Sequence, residues 1–116
     1  MVLRIAHRGA SGYAPEDSLE AFRKAVKLKI DAVEFDVHHT KDGELVVMHD
    51  HNLKRTTDCL GSIHKCSLKE LRKCHEPNGE PVPTLQEAID ILKGHCILKL
   101  DIKDNNIIEK VLKLIK

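Results

Sequence analysis

The segment Asp31-Ala-Val-Glu-Phe-Asp-Val37 has the composition of a β-strand but carries two acids, Glu34 and Asp36, within that strand. Successive side chains of a strand point to opposite faces, so Glu34 and Asp36 share one face while the valines and Phe35 share the other. We expect the apolar face to pack in a core and the acidic face to carry chemistry. A half-exposed edge strand with its acids in water is the alternative.

Strand-like and helix-like segments alternate along the chain, which predicts an α/β domain with a mainly parallel sheet. The predicted strands cover residues 2–6, 31–37, 44–48 and 96–102. The predicted helices follow the caps Ser18 and Thr84, and a short helix covers 67–73. A last helix over 105–115 has one apolar stripe, made of Ile107, Ile108, Val111, Leu112 and Ile115.

The connection between the second and third predicted strands is too short for a crossover helix. Either these strands form a hairpin about Asp42-Gly43, or the residues between them run as irregular chain. Both arrangements place Asp36 near His49.

Polar residues follow the ends of four predicted strands, at His7-Arg8, Glu34 and Asp36, His49-Asp50, and Asp101 and Lys103. In α/β sheets and β/α barrels, sites collect at the carboxyl ends of the strands. We therefore expect these residues to lie together.

Three carboxylates converge in this arrangement, and oxygen ligands suit a hard cation such as Mg²⁺ or Ca²⁺. Glu34, Asp36 and Asp101 are the candidate ligands. Each of them has a simpler interpretation as a solvated acid.

Two histidines and two cations flank the predicted metal site. An ordinary imidazole titrates near neutral pH, so His7 and His49 are candidates for a general acid and a general base. Arg8 and Lys103 are candidates for contacts with phosphoryl oxygens. This equipment suits cleavage of a phosphodiester.

Composition excludes several other classes of protein. The 116 residues are 41% hydrophobic and 32% charged, with a net charge of +1, so no basic patch argues for nucleic acid or an anionic membrane. The apolar run at the N-terminus is too short for a signal peptide, which predicts a cytoplasmic protein. The four cysteines form no CxxC pair of a zinc site, and because no signal peptide is predicted we expect them to be reduced thiols.

Motifs along the whole chain resemble the glycerophosphodiester phosphodiesterase family. They are His7-Arg-Gly9, Ala14-Pro-Glu-Asp-Ser18, Glu34-Phe-Asp-Val37, Thr40-Lys-Asp-Gly43, Val46-Val-Met-His-Asp50, Arg55-Thr-Thr57, Pro83-Thr-Leu85 and Leu100-Asp-Ile-Lys103. The resemblance implies a β/α (TIM-type) barrel that releases sn-glycerol 3-phosphate and an alcohol.

The resemblance also implies roles for the candidate residues. His7 and His49 correspond to the acid/base pair, Arg8 and Lys103 to phosphate contacts, and Glu34, Asp36 and Asp101 to metal ligands. The usual metal ligand at Asp101 is Glu, the usual residue at Asp17 is Asn, and the usual residue at Lys29 is a helix-ending Gly.

The chain is long enough for only about half of a β/α barrel. A half-barrel leaves strand edges open and exposes sheet residues such as Ile5, Val47 and Leu100, which predicts a homodimer that completes a barrel. The alternative to an enzyme is a split-barrel module that binds metal or phosphate with little turnover. A sphingomyelinase-D-like lipase is less favoured, because Thr40-Lys-Asp-Gly43 and Arg55-Thr-Thr57 are intact.

Overall fold

The computed structural model describes residues 3–115 and has an α/β architecture, as the sequence predicts. Its elements are β1 (Ile5–His7), α1 (Leu19–Lys27), β2 (Ala32–His39), β3 (Leu45–Val47), α2 (Leu68–Leu71), α3 (Leu85–Leu92), β4 (Ile97–Ile102) and α4 (Ile108–Ile115). Two 3-10 turns, Ile63–Lys65 and Asn105–Ile107, precede α2 and α4. Val2, the predicted start of the first strand, lies outside the described residues.

Strand β2 is the centre of the sheet, with β1 and β4 parallel to it and β3 antiparallel. The backbone N–H groups of Arg8 and Met48 donate to the carbonyls of Glu34 and Asp36, whereas Lys103 N–H donates to the carbonyl of Val37. Because alternate carbonyls of a strand point to opposite edges, β1 and β3 lie end to end along one edge and β4 occupies the other. The hairpin is therefore the correct alternative.

The main core lies on the face of the sheet that carries Val33, Phe35 and Val37, all fully buried. Helices α1, α3 and α4 cover this face, and the rings of Phe22 and Phe35 lie 5.2 Å apart. The helix residues fully or nearly fully buried there are Phe22, Ala25, Leu85, Ala88, Leu92 and Val111. The prediction that the apolar face of this strand packs in a core is confirmed.

Side-chain caps begin the two longer predicted helices as expected. The hydroxyl of Ser18 accepts from the N–H of Ala21, and Thr84 forms a capping box with Glu87. Lys29, where the resemblance implies a helix-ending Gly, takes the left-handed conformation, with φ of 56°. That conformation costs a residue with a side chain about 1 kcal/mol.

The opposite, inner face of the sheet is only partly covered. Ile5 and Ile97 flank Ala32 in register, and about half of each isoleucine side chain is exposed. The expectation that Val47 and Leu100 are exposed on this inner face is wrong. Val47 is fully buried in the main core, and Leu100 in β4 packs against the same core. Because β3 turns back antiparallel to β2, Val47 lies on the face of the sheet that the helices cover. Alternation along β4 places Leu100 on that same face.

The apolar stripe expected on the last helix is also partly wrong. Ile107 and Val111 are buried in the main core, whereas Ile108 and Leu112 are exposed. Ile107 and Val111 are four positions apart and share one face, whereas Ile108 and Leu112 are rotated from them by one position, about 100°, so the core covers only one side of the stripe.

A second, smaller core lies under residues 49–83, which we call the loop region; the elements β1–β4, α1, α3 and α4 are the sheet region. The smaller core comprises Val46, Met48, Leu53, Ile63, Leu71, Cys74 and Val82.

None of the helices in residues 3–115 is long and apolar enough to span a membrane.

The expectation that all four cysteines are thiols is wrong. Cys59 and Cys74 form a disulfide across the loop region, with their Cα atoms 5.6 Å apart. Cys66 and Cys96 are free, and burial raises the pKa of both thiols. The spacing of cysteines along the chain gave no sign of this pair, because folding of the loop region brings the two together.

Candidate functional site

The predicted site residues collect at one end of the sheet, on its inner face. His7, Glu34 and Lys99 are register neighbours across three strands, as are Asp36 and Asp101 across β2 and β4. Register neighbours in parallel strands point to the same face. The alternation that buries Phe35 therefore directs Glu34 and Asp36 into the site.

Glu34 and Asp36 are poorly satisfied carboxylates. Asp36 is 1% exposed, and its Oδ2 and the Oε1 of Glu34 are buried with no hydrogen-bond partner among the described residues. Burial and the neighbouring Asp36 raise the pKa of Glu34. The Nε2 of His7 lies 3.0 Å from the Oε2 of Glu34.

Two basic side chains lie against these acids. The ammonium of Lys103 is 2.8 Å from Asp101 Oδ2 and 3.3 Å from Asp36 Oδ1, so the pKa of Lys103 is raised and that of Asp101 is lowered. The guanidinium of Arg8 is 3.8 Å from Asp36 Oδ2. An anion bound beside these carboxylates could therefore also contact both cations.

The buried, unpartnered oxygens of Glu34 and Asp36 fit a hard divalent cation, since such oxygens cost free energy until something satisfies them. Asp101 is less well placed, because its carboxylate is held by Lys103. Among residues 3–115, the three-residue group with ligand atoms within 4.8 Å of one another is Asp58, Cys59 and Cys74. Its cysteines are joined in the disulfide, so it is no metal site.

A chain of ion pairs holds His49 at the site. The Nδ1 of His49 lies 2.7 Å from Asp50 Oδ1, and Arg55 donates to both oxygens of Asp50 at 2.8 and 3.0 Å. Arg55 also donates to both oxygens of Glu16, at 2.6 and 2.9 Å, and Arg8 donates to Glu16 at 3.1 Å. These contacts lower the pKa of Asp50 and of Glu16.

The sequence predicted no role for Asp50, Arg55 or Glu16, although each lies in one of the quoted motifs. Their motifs, Val46-Val-Met-His-Asp50, Arg55-Thr-Thr57 and Ala14-Pro-Glu-Asp-Ser18, were the only available signal. The signal was incomplete because Arg55 and Glu16 are 39 positions apart in the chain.

The loop after β1 holds Arg8 in a strained conformation. Arg8 and Asp17 both have positive φ, 57° and 55°, and the N–H of Asp17 donates to the carbonyl of Arg8 at 2.9 Å. Gly9 also has positive φ, and a Cβ there would lie 2.9 Å from the Cβ of Ala21. The loop therefore lies directly on α1, which fixes the position of Arg8.

Asp17, which stands where the family resemblance implies Asn, lies beside the site as a neutral acid at neutral pH rather than as an added charge. Its side chain is 2% exposed, and neither carboxylate oxygen has a hydrogen-bond partner among the described residues. Burial and the adjacent carboxylate of Asp36 raise the pKa of Asp17 well above its usual range.

The parallel β/α units and the site at one end of the strands define a protein of the β/α-barrel class, of which this chain forms about half. Residues 7–116 match the glycerophosphoryl diester phosphodiesterase family. The chain belongs to that family.

Three relatives illustrate the match. A glycerophosphodiester phosphodiesterase of Bacillus subtilis is 36% identical, over 88% of this chain and 40% of the relative. A crystal structure of glycerophosphodiester phosphodiesterase from Agrobacterium tumefaciens superposes with a TM-score of 0.92 at 30% identity, over 99% of this chain and 52% of that one.

The third relative is a phosphodiesterase of Oleispira antarctica in complex with the product sn-glycerol-3-phosphate. It superposes with a TM-score of 0.87 at 36% identity, over 98% of this chain and 50% of that one. The chain thus spans about half the length of the relatives it matches.

Proposed function

We propose that this chain hydrolyses glycerophosphodiesters to sn-glycerol 3-phosphate and an alcohol. The observation that carries the proposal is the meeting of β1 and β3 along one edge of β2, which brings His7 and His49 to Glu34 and Asp36 from opposite directions. Family membership and the product complex of the Oleispira relative support the same reaction.

His49 is suited to move a proton at one defined atom. Its Nδ1 hydrogen is donated to Asp50, which leaves Nε2 to accept a proton from a hydroxyl or donate one to a leaving oxygen. His7 is held by its Nε2 contact with Glu34. The two histidines would thus supply the acid and the base of the cleavage.

Arg8 and Lys103 would bind the phosphoryl oxygens, Arg8 by its planar fork and Lys103 as a compact cation. We assign Glu34, Asp36 and Asp101 as the residues that would hold Mg²⁺ or Ca²⁺. Such an ion, when bound, neutralises charge that develops on the phosphoryl oxygens. The chain's own cations share that task.

A second candidate function is a metal- or phosphate-binding module with little turnover. It is favoured by the span of the chain, about half of its relatives, and by the partly open inner face that carries Ile5 and Ile97. This module would use the same carboxylates and cations without completing the reaction.

Product release separates the two functions. We expect the chain with Mg²⁺ or Ca²⁺ to release sn-glycerol 3-phosphate from sn-glycero-3-phosphoglycerol, and His7→Ala and His49→Ala each to lower kcat by about 10²-fold or more. Their losses should not add, because they serve one proton-transfer sequence. His95→Ala, an exposed histidine before β4, is the matched control.

Cation binding without product would favour the module. Unchanged turnover in the His7→Ala variant would contradict the role given to that residue.

The cytoplasmic location and the homodimer remain predictions. A dimer would cover Ile5 and Ile97 and pair open strand edges. Sedimentation at micromolar concentration tests the dimer, and a well-packed monomer would contradict it.

A further inference from the structure

A cavity of about 540 Å³ opens beside the proposed catalytic residues, and we call it the histidine cavity. It is lined by His38, His49, Asp50, His51, Asn52, His64 and Lys103. His49 and Lys103 belong to the proposed site, whereas His38, His51 and His64 have no role in it. The volume is within the range of small-molecule sites.

His38 offers one hydrogen-bond acceptor to this lining. Its Nε2 lies 3.0 Å from the carbonyl oxygen of His49, and because a carbonyl only accepts, that nitrogen carries the hydrogen. Nδ1 is then an acceptor, and it is buried with no partner among residues 3–115.

His64 presents a second acceptor by the same reasoning. Its Nδ1 lies 3.0 Å from the carbonyl oxygen of His39 and therefore carries the hydrogen, which leaves Nε2 as the acceptor in the neutral ring. Asn52 adds a donor, because its amide oxygen accepts from the N–H of Lys54 and its NH2 group faces no such partner among the described residues. The lining of the histidine cavity thus mixes donors with acceptors.

We propose that the histidine cavity binds the alcohol portion of the glycerophosphodiester and selects a polyol, such as glycerol or inositol. This inference rests on the proposed function. Hydroxyl groups both donate and accept, so a polyol satisfies the imidazole acceptors and the Asn52 amide donor together.

A choline group fits this lining poorly. A quaternary ammonium has no hydrogen to donate and is recognised by aromatic faces or by carboxylates. The lining contains no Phe, Tyr or Trp among the described residues, and Phe22 and Phe35 are fully buried in the main core. The one lining carboxylate, Asp50, is already bound by Arg55 and His49.

Head-group kinetics test the proposal in the intact chain. We expect kcat/KM for sn-glycero-3-phosphoglycerol to exceed that for sn-glycero-3-phosphocholine by about tenfold or more. His64→Asn should lower this ratio about three- to tenfold, the effect of losing one hydrogen bond. The Asn amide can still donate to the carbonyl of His39, so the variant removes mainly the acceptor at Nε2.

The matched control is His95→Asn, which changes an exposed histidine outside the cavity and should leave the ratio unchanged. A preference for the choline diester, or a ratio that His64→Asn leaves unaltered, would overturn the proposal.

A binding measurement separates this inference from the proposed function. In EDTA, sn-glycero-3-phosphoglycerol should shift the ring Hε1 resonances of His51 and His64 in a saturable way, and sn-glycero-3-phosphocholine should shift them less. If no diester is hydrolysed but these shifts occur, the activity fails and the polyol site stands. If hydrolysis occurs without them, the polyol site is overturned and the activity stands.

Discussion

The sheet region and the loop region place their functional groups by different means. In the sheet region, backbone hydrogen bonds and a large apolar core set where Glu34, Asp36 and Asp101 point. In the loop region, a small core, the Cys59–Cys74 disulfide and the ion pairs of Arg55 set where His49 points.

Because the two regions hold their functional groups differently, substitutions in the sheet region should change charge and substitutions in the loop region should change position. A substitution of a site carboxylate in the sheet region removes a charge, but the hydrogen bonds between the strands still hold the backbone in place. A substitution in the loop region loosens side-chain contacts that are themselves the support, and positioned groups lose much of their rate when displaced by about 1 Å. The regions should therefore fail in distinguishable ways.

The largest expected effect is in the sheet region. Asp36→Asn or Glu34→Gln should abolish binding of Mg²⁺ and Ca²⁺ while preserving the fold, because the replacements are nearly isosteric and remove the charge. Calorimetric titration measures the loss, with Asp90→Asn on the exposed side of α3 as control. Binding that survives both substitutions would reject the metal assignment.

The matching change in the loop region is Arg55→Gln. We expect kcat to fall about 10- to 100-fold while Mg²⁺ and Ca²⁺ affinity stays the same, because Arg55 acts on His49 through Asp50. Arg55→Lys should rescue little, since lysine lacks the planar fork that contacts Asp50 and Glu16.

Arg23→Gln is the control for Arg55, because Arg23 also makes an ion pair away from the site, in which its Nη2 donates to both carboxylate oxygens of Glu80. Equal losses of kcat in both variants, or a parallel loss of metal affinity, would show that Arg55 has only a general structural role.

A third change tests whether the loop region depends on its disulfide. The Cys59→Ser/Cys74→Ser variant should lose about 2 to 4 kcal/mol of unfolding free energy, because the bond closes a loop with a sequence separation of 15. Chemical denaturation measures the loss. The Cys66→Ser/Cys96→Ser variant, which replaces the two free thiols, is the control. Amide hydrogen exchange in the Cys59→Ser/Cys74→Ser variant should accelerate more in the loop region than in β2. Equal acceleration in both would show that the disulfide does not stabilise the loop region separately from the sheet region.

The smallest expected effect concerns a buried acid of the loop region. Burial and the nearby Glu80 raise the pKa of Glu76 to about 8, and its Oε1 has no partner among the described residues. Unfolding restores an ordinary pKa, so the folded state is progressively disfavoured as pH rises from the unfolded pKa to about 8.

Glu76→Gln should therefore stabilise the protein by about 1 to 3 kcal/mol at pH 9 and have little effect at pH 4. Thermal unfolding at the two pH values measures the difference, and Glu109→Gln on exposed α4 is the control. A stabilisation that is the same at both pH values would contradict the assignment of the shift to Glu76.

Much of the sheet region could be predicted from the sequence, because local patterns decide it. The alternation about Phe35 and the caps at Ser18 and Thr84 gave the faces of β2 and the starts of α1 and α3. Strand β2 was predicted to end at Val37, yet it continues through His38 and His39 because β3 pairs with them. Polar residues carry a weak strand signal, and only the partner strand supplies the rest.

The loop region could not be predicted in the same way. Its supports join Arg55 to Glu16 and Cys59 to Cys74, and no period along the chain relates those positions. The roles of the predicted site residues were carried by motifs, whereas the histidine cavity became visible only when His38, His51 and His64 were placed around one space.

The contact of Gly9 with Ala21 has a consequence for laboratory evolution of this chain. Because no space remains between the loop and α1, enlarging Ala21 would lift the loop and move His7 and Arg8 with it. Selection for altered rate or head-group preference should therefore recover substitutions on the buried side of α1, at positions that never touch the substrate. The buried side of α1 would therefore adjust the geometry of the proposed site without contacting the substrate.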